Sequence, residues 1–357
     1  MSPNKKHIFV FLAVFFGSLF FIFYKSPTIH LSNLSNLTPT PPLPVISEVH
    51  AIYITANTAR HNNMENIIRL IKKTSGAYQL NAVVIDVKDE NGSQLDDKLK
   101  ILVRRLRFLG IFPIARLSVF QDNQLAQENP KIAVKKTNGD LWRDKGGRYW
   151  VDPANLEVWQ HVLDLSKQVA DAGFGEINFD YIRFPSDGDT DNIVYPSWDK
   201  NKKKTDVILN FSRFIKDELK KAYPDVKLTA DVFGYTLLRT YDLGIGQSAM
   251  EMAEIFDDIC PMIYPSHYDS GNFNFENPAE HPYEVVYGSL EKGREIFTKN
   301  EKSFSNIRPW IQDFNLGAIY TPEMVQEQIK AIKDSGLTRG WMIWNPNNKY
   351  REAIFNE

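Results

Sequence analysis

The stretch Glu176-Ile-Asn-Phe-Asp-Tyr-Ile-Arg-Phe-Pro185 predicts a short β-strand that ends in a carboxylate. Side chains alternate between the two faces of a strand, so the apolar residues of this stretch face one way while two acids and an amide face the other. Asp180 stands at the predicted C-terminal end, and Pro185 stops strand pairing. In a parallel α/β barrel that end carries the chemistry. An edge strand with one solvated face would show the same alternation, so the rest of the chain must decide.

Counting this stretch, eight short β-rich runs along the chain alternate with amphipathic helical stretches. This rhythm predicts βα units and a parallel sheet, and eight units favour a (β/α)8 TIM barrel with insertions. A doubly wound open sheet is the alternative, but no G-x-G-x-x-G or Walker sequence supports a nucleotide-binding version of it. The predicted strands are His50–Ile54, Asn81–Asp86, Ile111–Leu117, Glu176–Asp180, Val226–Asp231, Asp258–Tyr264, Ile307–Gln312 and Arg339–Trp344.

Helical periodicity fills most of the connections between these strands. A long loop, Ser118–Pro153, and a polar insertion, Ser186–Lys200, are the predicted interruptions. The predicted helices are Asn63–Thr74, Asp97–Leu109, Asn155–Ala172, one ending at Ala222, a short one over Gln247–Phe256, Pro282–Thr298 and Pro322–Ser335.

The N-terminal region is predicted to lie outside the barrel. Residues 1–25 read as a cytoplasmic stub and transmembrane anchor, because two lysines precede the Phe-rich run Ile8–Tyr24. As a helix this run would be about 26 Å long, slightly short of a ~30 Å hydrocarbon core. A cleaved signal peptide is the alternative, although no small-residue cleavage site follows the run. Residues 26–45 are predicted to be an extended Pro/Ser/Thr-rich linker, and residues 46–357 to form the barrel domain.

Composition excludes several classes of function. A net charge of −2 and a pI near 6.4 give no electrostatic case for a nucleic-acid partner. The single cysteine, Cys260, allows no intrachain disulfide and is predicted to be a buried core thiol. The seven histidines show no H-x-H or H-E-x-x-H spacing, and no G-x-S-x-G elbow occurs, so we expect neither a metal site nor another cofactor, nor a serine nucleophile.

Polar and aromatic side chains collect at the C-terminal ends of the predicted strands, which meet at one mouth of a closed barrel. Each also has a simpler structural interpretation: Asp86 or Asp313 as a helix N-cap, Trp344 as core, and Tyr264 as a turn residue. Tyr53, Thr55 and Asp89 belong to the same set. The candidate substrate-binding residues are Asp86, Lys88, Arg116, Arg183, Tyr235, Tyr264, His267, Gln312, Asp313, Trp344 and Asn345.

Paired carboxylates among aromatic side chains are typical of glycoside hydrolysis, in which one acid donates a proton and the other attacks or activates water. We predict Asp180 and Asp231 as this catalytic pair. Arg183 near Asp180 would keep that carboxylate charged, which suits a nucleophile or base. The apolar neighbours of Asp231 would raise its pKa, which suits the acid.

Four segments carry a resemblance to a known family. They are Val84–Asp89, Asn178–Pro185, Leu228–Tyr235 and Pro261–Tyr268. From Val49 to Asn348 the chain resembles the putative glycoside hydrolase domain family of bacteria and archaea, which implies a TIM barrel related to amylase-like and other retaining barrel hydrolases. In amylase-like relatives an Asp closing strand four is the nucleophile, which implies that role for Asp180. Their acid is a Glu closing strand five, where this chain has Asp231.

We therefore expect a membrane-anchored, extracytoplasmic glycoside hydrolase that acts on a cell-envelope or extracellular polysaccharide. The alternative from another class is a TIM-barrel protein that binds glycan without cleaving it, and the missing Glu on strand five favours it. A hydrolase of peptide cross-links is disfavoured by the missing metal and nucleophile motifs.

Overall fold

The structure, a computed structural model, describes residues 41–356 other than Asn62. The predicted anchor and most of the predicted linker lie outside this range. Within it, no helix has both the length and the apolar character needed to cross a membrane.

Eight parallel strands of the described chain close into a barrel. They are β1 (Val49–Ile54), β2 (Ala82–Asp89), β3 (Phe112–Ser118), β4 (Glu176–Asp180), β5 (Lys227–Phe233), β6 (Asp258–Met262), β7 (Trp310–Gln312) and β8 (Gly340–Trp344). Closure is direct, because β1 pairs in parallel with both β2 and β8, with Ala51 opposite Ala82 and Met342. The predicted barrel is confirmed, and the open-sheet alternative is wrong because it would leave two unpaired edges.

Helices connect the strands on the outside of the barrel. The main helix of each connection is, in chain order, α1 (Asn63–Lys73), α2 (Asp97–Phe108), α3 (Leu156–Asp171), α4 (Lys204–Ala222), α5 (Ala249–Met252), α6 (Pro282–Lys299) and α7 (Pro322–Asp334). Two further short helices, Ala56–Arg60 and Asn123–Glu128, precede α1 and α3. In α2 the buried residues Leu99, Leu102, Val103 and Leu106 recur every three or four positions. Asp96 caps the helix by accepting a hydrogen bond from Leu99 N at 2.9 Å.

The short helix α5 begins later than the sequence predicts. Ser248 is its N-cap and accepts from Glu251 N, and the helix ends at Met252, four residues before the predicted end. Gln247 lies before the cap, where its side chain accepts a hydrogen bond from Phe233 N at 3.0 Å and donates to Asp231 O at 3.1 Å. This contact ties the connection after β5 to the strand end. The sequence pattern alone cannot reveal it, because the partners lie 14 and 16 residues away.

The alternation predicted for β4 is confirmed at the N-terminal end of the barrel. Glu176 points inward and is fully buried with Arg308, and the two side chains form a two-point ion pair. Thr229 donates to Glu176 Oε1 at 2.8 Å, and Asp258 lies 3.5 Å from Arg308. This polar layer fills the barrel below the C-terminal mouth.

The two long insertions pack against each other instead of forming separate loops. Lys135–Lys136 of the first pairs antiparallel with Ile193–Val194 of the second. Trp142 is buried between them and donates its indole N–H to Asp189 O at 2.8 Å. The second insertion contributes Ser186 and Asp187 to the lining of the cavity described below.

Candidate active site

A cavity of about 410 Å³ opens at the C-terminal ends of the barrel strands. This is the place where the sequence predicts a site, and aromatic rings make up much of its lining. The residues named from the sequence that line it are Tyr53, Arg116, Asp180, Arg183, Asp231, Tyr235, Tyr264, His267 and Trp344.

Asp180 ends β4 and is held on both carboxylate oxygens. Oδ2 accepts from Arg116 Nε at 3.1 Å and from the Nη2 of the same guanidinium, while Oδ1 accepts from Tyr181 N at 2.6 Å. Tyr181 has a φ of 51°, a left-handed conformation that is costly for a bulky residue. Its ring packs edge-on against Trp150 at 5.7 Å, which helps to hold this backbone in place. Asp180 is therefore oriented, and its negative charge is balanced by a guanidinium.

Asp231 on β5 is almost completely buried beside Asp180. Its Oδ1 accepts from Asn178 Nδ2 at 2.8 Å and from Trp310 Nε1 at 2.7 Å, while Oδ2 lies 4.0 Å from Arg116 Nε. Burial raises the pKa of Asp231 well above its usual range, and the charge of Asp180 raises it further. A proton on Oδ2 leaves both hydrogen bonds to Oδ1 intact.

Arg116 connects three acids from neighbouring strands. Its Nη1 donates to Asp86 Oδ1 at 2.5 Å, and the Tyr53 hydroxyl donates to the other oxygen of Asp86. Burial alone would lower the pKa of Arg116, but the carboxylates of Asp86 and Asp180 raise it well above its usual range. The guanidinium is a fixed positive charge between the candidate catalytic acids.

Arg183 does not contact the Asp180 carboxylate, although the sequence predicts that it lies beside it. Its guanidinium lies over the rings of Phe233, at 4.6 Å, and Trp150, at 5.0 Å, and donates to Phe184 O at 3.0 Å. The ion pair with Asp180 belongs to Arg116 instead. The chain turns sharply after β4, so a residue three positions beyond Asp180 is directed onto the aromatic wall.

Two pairs of aromatic rings lie in the cavity wall, one stacked and one tilted. Tyr264 and Trp344 stack with centroids 5.4 Å apart, and Tyr235 and Tyr268 lie 5.0 Å apart. His267 packs edge-on against Tyr264 at 5.3 Å, and partial desolvation there lowers its pKa. Flat apolar faces beside polar groups suit the binding of sugar rings.

Lys88 is predicted as a substrate-binding residue but lies outside the cavity. The pairing of β2 with β3 shifts register between Asp86 and Lys88, and this bulge turns Lys88 away from the face that Asp86 occupies. Its ammonium forms a buried ion pair with Asp122 at 2.9 Å. The prediction from the sequence is wrong here because side chains alternate between the two faces of a strand only where no bulge interrupts it.

Gln312, Asp313 and Asn345 also lie outside the cavity. Gln312 Oε1 accepts from Ser266 N at 3.1 Å and so fixes the loop after β6. Asp313 pairs with Arg351 at 2.7 Å, and Asn345 donates to Lys349 O at 2.9 Å. These side chains organise the loops behind the wall, which is a positioning role in the structure. Asp86 likewise acts through Arg116, at one hydrogen bond from the cavity.

Several residues of the site are missing from the sequence-based set: Trp310 lines the cavity, and Asn178 lies behind its lining, where it donates to Asp231. Asn178 and Trp310 each stand two positions before the last residue of their strand and point inward like that residue. They could have been predicted from the sequence by including, for each strand, the residue two positions before its end, because that residue lies on the same face. Further lining residues outside the predicted set are Tyr181, Ser186, Asp187, Phe233, Gly234, Met262 and Tyr268.

Comparison with known proteins agrees with this fold. The model of a family described as a putative glycosyl hydrolase domain matches residues 51–350. A search of functionally curated proteins finds no match.

Three solved structures show the same architecture. The α-galactosidase TtGalA from Thermus thermophilus has 13% identity and a TM-score of 0.54 over 90% of this chain and 63% of its own. The spore cortex-lytic enzyme SleL from Bacillus megaterium has 13% identity and a TM-score of 0.53 over 91% and 79%. An α-amylase from Lactobacillus plantarum has 13% identity and a TM-score of 0.54 over 85% and 72%. At these identities the likeness shows the fold.

Proposed function

The chain belongs to the putative glycosyl hydrolase domain family, and we propose that it cleaves O-glycosidic bonds with Asp180 and Asp231 as the catalytic pair. One observation carries the proposal. A buried carboxyl whose pKa is raised stands beside a second carboxylate whose charge is balanced by Arg116, in an aromatic-lined cavity. Two acids in such different environments are suited to opposite roles.

We propose a retaining course, in line with the resemblance to amylase-like barrels. An oxygen of Asp180 bonds to the anomeric carbon as the glycosidic C–O bond breaks, and Asp231 gives its proton to the leaving oxygen. Ionised Asp231 then takes a proton from water, the hydroxide oxygen bonds to the anomeric carbon, and Asp180 leaves. Arg116 holds Asp180 in position throughout.

We propose a cell-envelope or extracellular polysaccharide as the substrate and an extracytoplasmic location for the barrel. The Phe-rich run Ile8–Tyr24, the lysines before it and the linker after it support a tether. The second candidate function is glycan binding without cleavage. The observation in its favour is Asp231, which is one methylene shorter than the Glu expected at this strand end.

The test is to incubate the full-length protein with a panel of bacterial envelope and extracellular polysaccharides. Hydrolysis is measured as the release of reducing ends. We expect release by the wild type and a loss of several orders of magnitude in Asp180→Asn and in Asp231→Asn. Asp217→Asn, which removes an exposed carboxylate on α4, is the matched control and should remain active.

Substrates with activated leaving groups separate the two roles. A dinitrophenolate leaving group needs no proton, so Asp231→Asn should release one equivalent of the phenolate in a burst and then turn over slowly, because the base of the second step is missing. Asp180→Asn should give no burst. Binding of a polysaccharide that no protein sample cleaves would establish the non-catalytic alternative. NMR shows which anomer of the product is released first. If its configuration is opposite to that of the substrate, retention is refuted, but the assignment of Asp180 and Asp231 as the catalytic pair still stands.

A further inference from the structure

A second cavity, of about 530 Å³, lies between α1 and residues 347–352. Its upper end is at the barrel mouth, because Thr58 follows β1 and Asn347 follows β8. Its lower end reaches Lys73, the last residue of α1. Since helices of a parallel barrel run opposite to the strands, the cavity is a groove that descends the outer side of the barrel from the mouth.

Positive charge dominates this groove. Its lining includes four cations and one acid, namely Arg69, Lys73, Lys349, Arg351 and Glu352. Lys73 lies 3.3 Å from Glu352, and Arg351 is bound to an acid outside the groove. The side chains of Arg69 and Lys349 are exposed, and within the described chain neither forms an ion pair. The groove therefore holds an excess of positive charge.

The cations on α1 are aligned along one face. Asn66, Arg69 and Lys73 are spaced three and four residues apart, so they line the same stripe of the helix. Like charges four residues apart destabilise a helix by about 0.2–0.5 kcal/mol, which a bound anion would reverse. The nearby acid Glu65 offsets this only in part: the charge of Arg69 acts on it, but its hydrogen-bonded ion pair is with Arg105 on α2, at 2.7 Å.

A rigid wall joins the groove to the first cavity. Asn348 adopts a left-handed φ of 53° and accepts hydrogen bonds from Thr55 N at 2.9 Å and Thr58 Oγ1 at 2.7 Å. The Tyr350 hydroxyl donates to Tyr53 O at 2.5 Å, and Tyr53 lines the first cavity. A polymer that leaves the first cavity over Tyr53 therefore reaches the cationic groove directly.

We propose that this groove binds the anionic substituents of a polysaccharide, so that the substrate is an acidic glycan. Guanidinium and ammonium groups recognise carboxylates and phosphates, and the asparagine amides are suited to sugar hydroxyls. The identity of this glycan as substrate rests on the proposed function, but binding in the groove needs no catalysis. Because the groove is open to solvent, the binding is weakened by salt.

Binding is measured in the Asp180→Asn background by affinity electrophoresis and calorimetry. The probes are polygalacturonate, its carboxyl-reduced neutral form and poly(glycerol phosphate). We expect polyanion binding that weakens about tenfold in Arg69→Gln/Lys349→Gln, since two charge-assisted contacts are lost. The control Arg213→Gln/Lys333→Gln makes the same change in net charge at exposed positions on α4 and α7 and should bind normally.

Whichever polyanion binds identifies the group as carboxylate or phosphate. Equal binding of the neutral polymer, no binding of either polyanion, or unchanged affinity in Arg69→Gln/Lys349→Gln would each overturn the proposal. Cleavage assays keep it separate from the proposed function. Polyanion binding without cleavage of any glycan would support the groove as a binding site for acidic glycans and refute the proposed hydrolase activity. Cleavage of neutral glycans without polyanion binding would support the hydrolase activity and refute the proposed role of the groove.

Discussion

At the scale of single residues, the buried carboxyl of Asp231 has an energetic cost that its substitution should reveal. Its pKa is raised in the folded protein, so the folded state holds the proton more tightly than the unfolded chain does. The unfolded chain ionises first as the pH rises, and this lowers the stability of the fold until the pH passes the folded pKa. Near neutral pH the protein therefore carries a penalty that is absent in strong acid.

Asp231→Asn should accordingly stabilise the protein near pH 7 while abolishing the cleavage of natural substrates. The amide oxygen can still accept hydrogen bonds from Asn178 and Trp310. We expect the free energy of unfolding at pH 7 to rise by about 1–2 kcal/mol, which is typical when a destabilising active-site group is replaced. Thermal unfolding from pH 3 to pH 7 measures it. The gain should vanish below the unfolded pKa, and identical melting curves at pH 7 would contradict the expectation.

Asp180→Asn should have the opposite effect on stability. The substitution removes the negative charge that Arg116 contacts, although the amide oxygen still accepts and Asp86 remains as a partner. We expect a loss of about 1–3 kcal/mol, the value of a charge-assisted hydrogen bond. Urea unfolding at pH 7 measures it beside Asp217→Asn, and a variant as stable as the wild type would show that this ion pair contributes nothing.

Trp310→Phe tests the hydrogen bonds that hold Asp231. The indole N–H donates to Oδ1 at 2.7 Å and favours the ionised form, so its removal should raise the pKa of Asp231 further. Because the acid must be protonated to act, the alkaline limb of the kcat/KM profile should move to higher pH. A limb that stays in place or moves lower would show that Asp231 is not the group titrating there.

At the scale of elements, strand alternation explains what the sequence predicts well and where it fails. The inward positions of β4 and β5 follow the pleat, so Asp180 and Asp231 meet as predicted. The prediction for Lys88 fails because a bulge interrupts the pleat. The predicted contact between Arg183 and Asp180 fails because Arg183 lies in a turn, where side-chain directions follow no regular period. Arg116 stands within β3, and its pairing with Asp180 follows only once the order of the strands is known.

The polar layer at the N-terminal end of the barrel is a structural device with a measurable cost. Arg308→Met would leave the fully buried Glu176 without its cation, and we expect a loss of about 3–5 kcal/mol. Adding Glu176→Gln should recover part of it, because the unpaired charge is then gone. Urea unfolding measures both. A double variant as unstable as Arg308→Met alone would mean that lost packing, rather than unpaired charge, causes the loss.

At the scale of the whole molecule, the chain enters the barrel at the end opposite the cavity. Leu43 and Ile46 pack against Val49 and Phe112, and Leu43 lies beside Gly175, just before β4. These positions mark the N-terminal ends of β1, β3 and β4. A tether that leads into residue 41 would hold this end nearest the membrane, so the cavity and the cationic groove would open towards polymer outside.

Cysteine labelling tests that topology with little background, because Cys260 is fully buried. In spheroplasts, a membrane-impermeant maleimide should label Asn192→Cys, at an exposed site in the second insertion, but should label Ser2→Cys only after lysis. Both variants should sediment with membranes as full-length chains. Labelling of Ser2→Cys in intact spheroplasts would reverse the orientation, and soluble protein whose N-terminus lies beyond Tyr24 would establish a cleaved signal peptide instead.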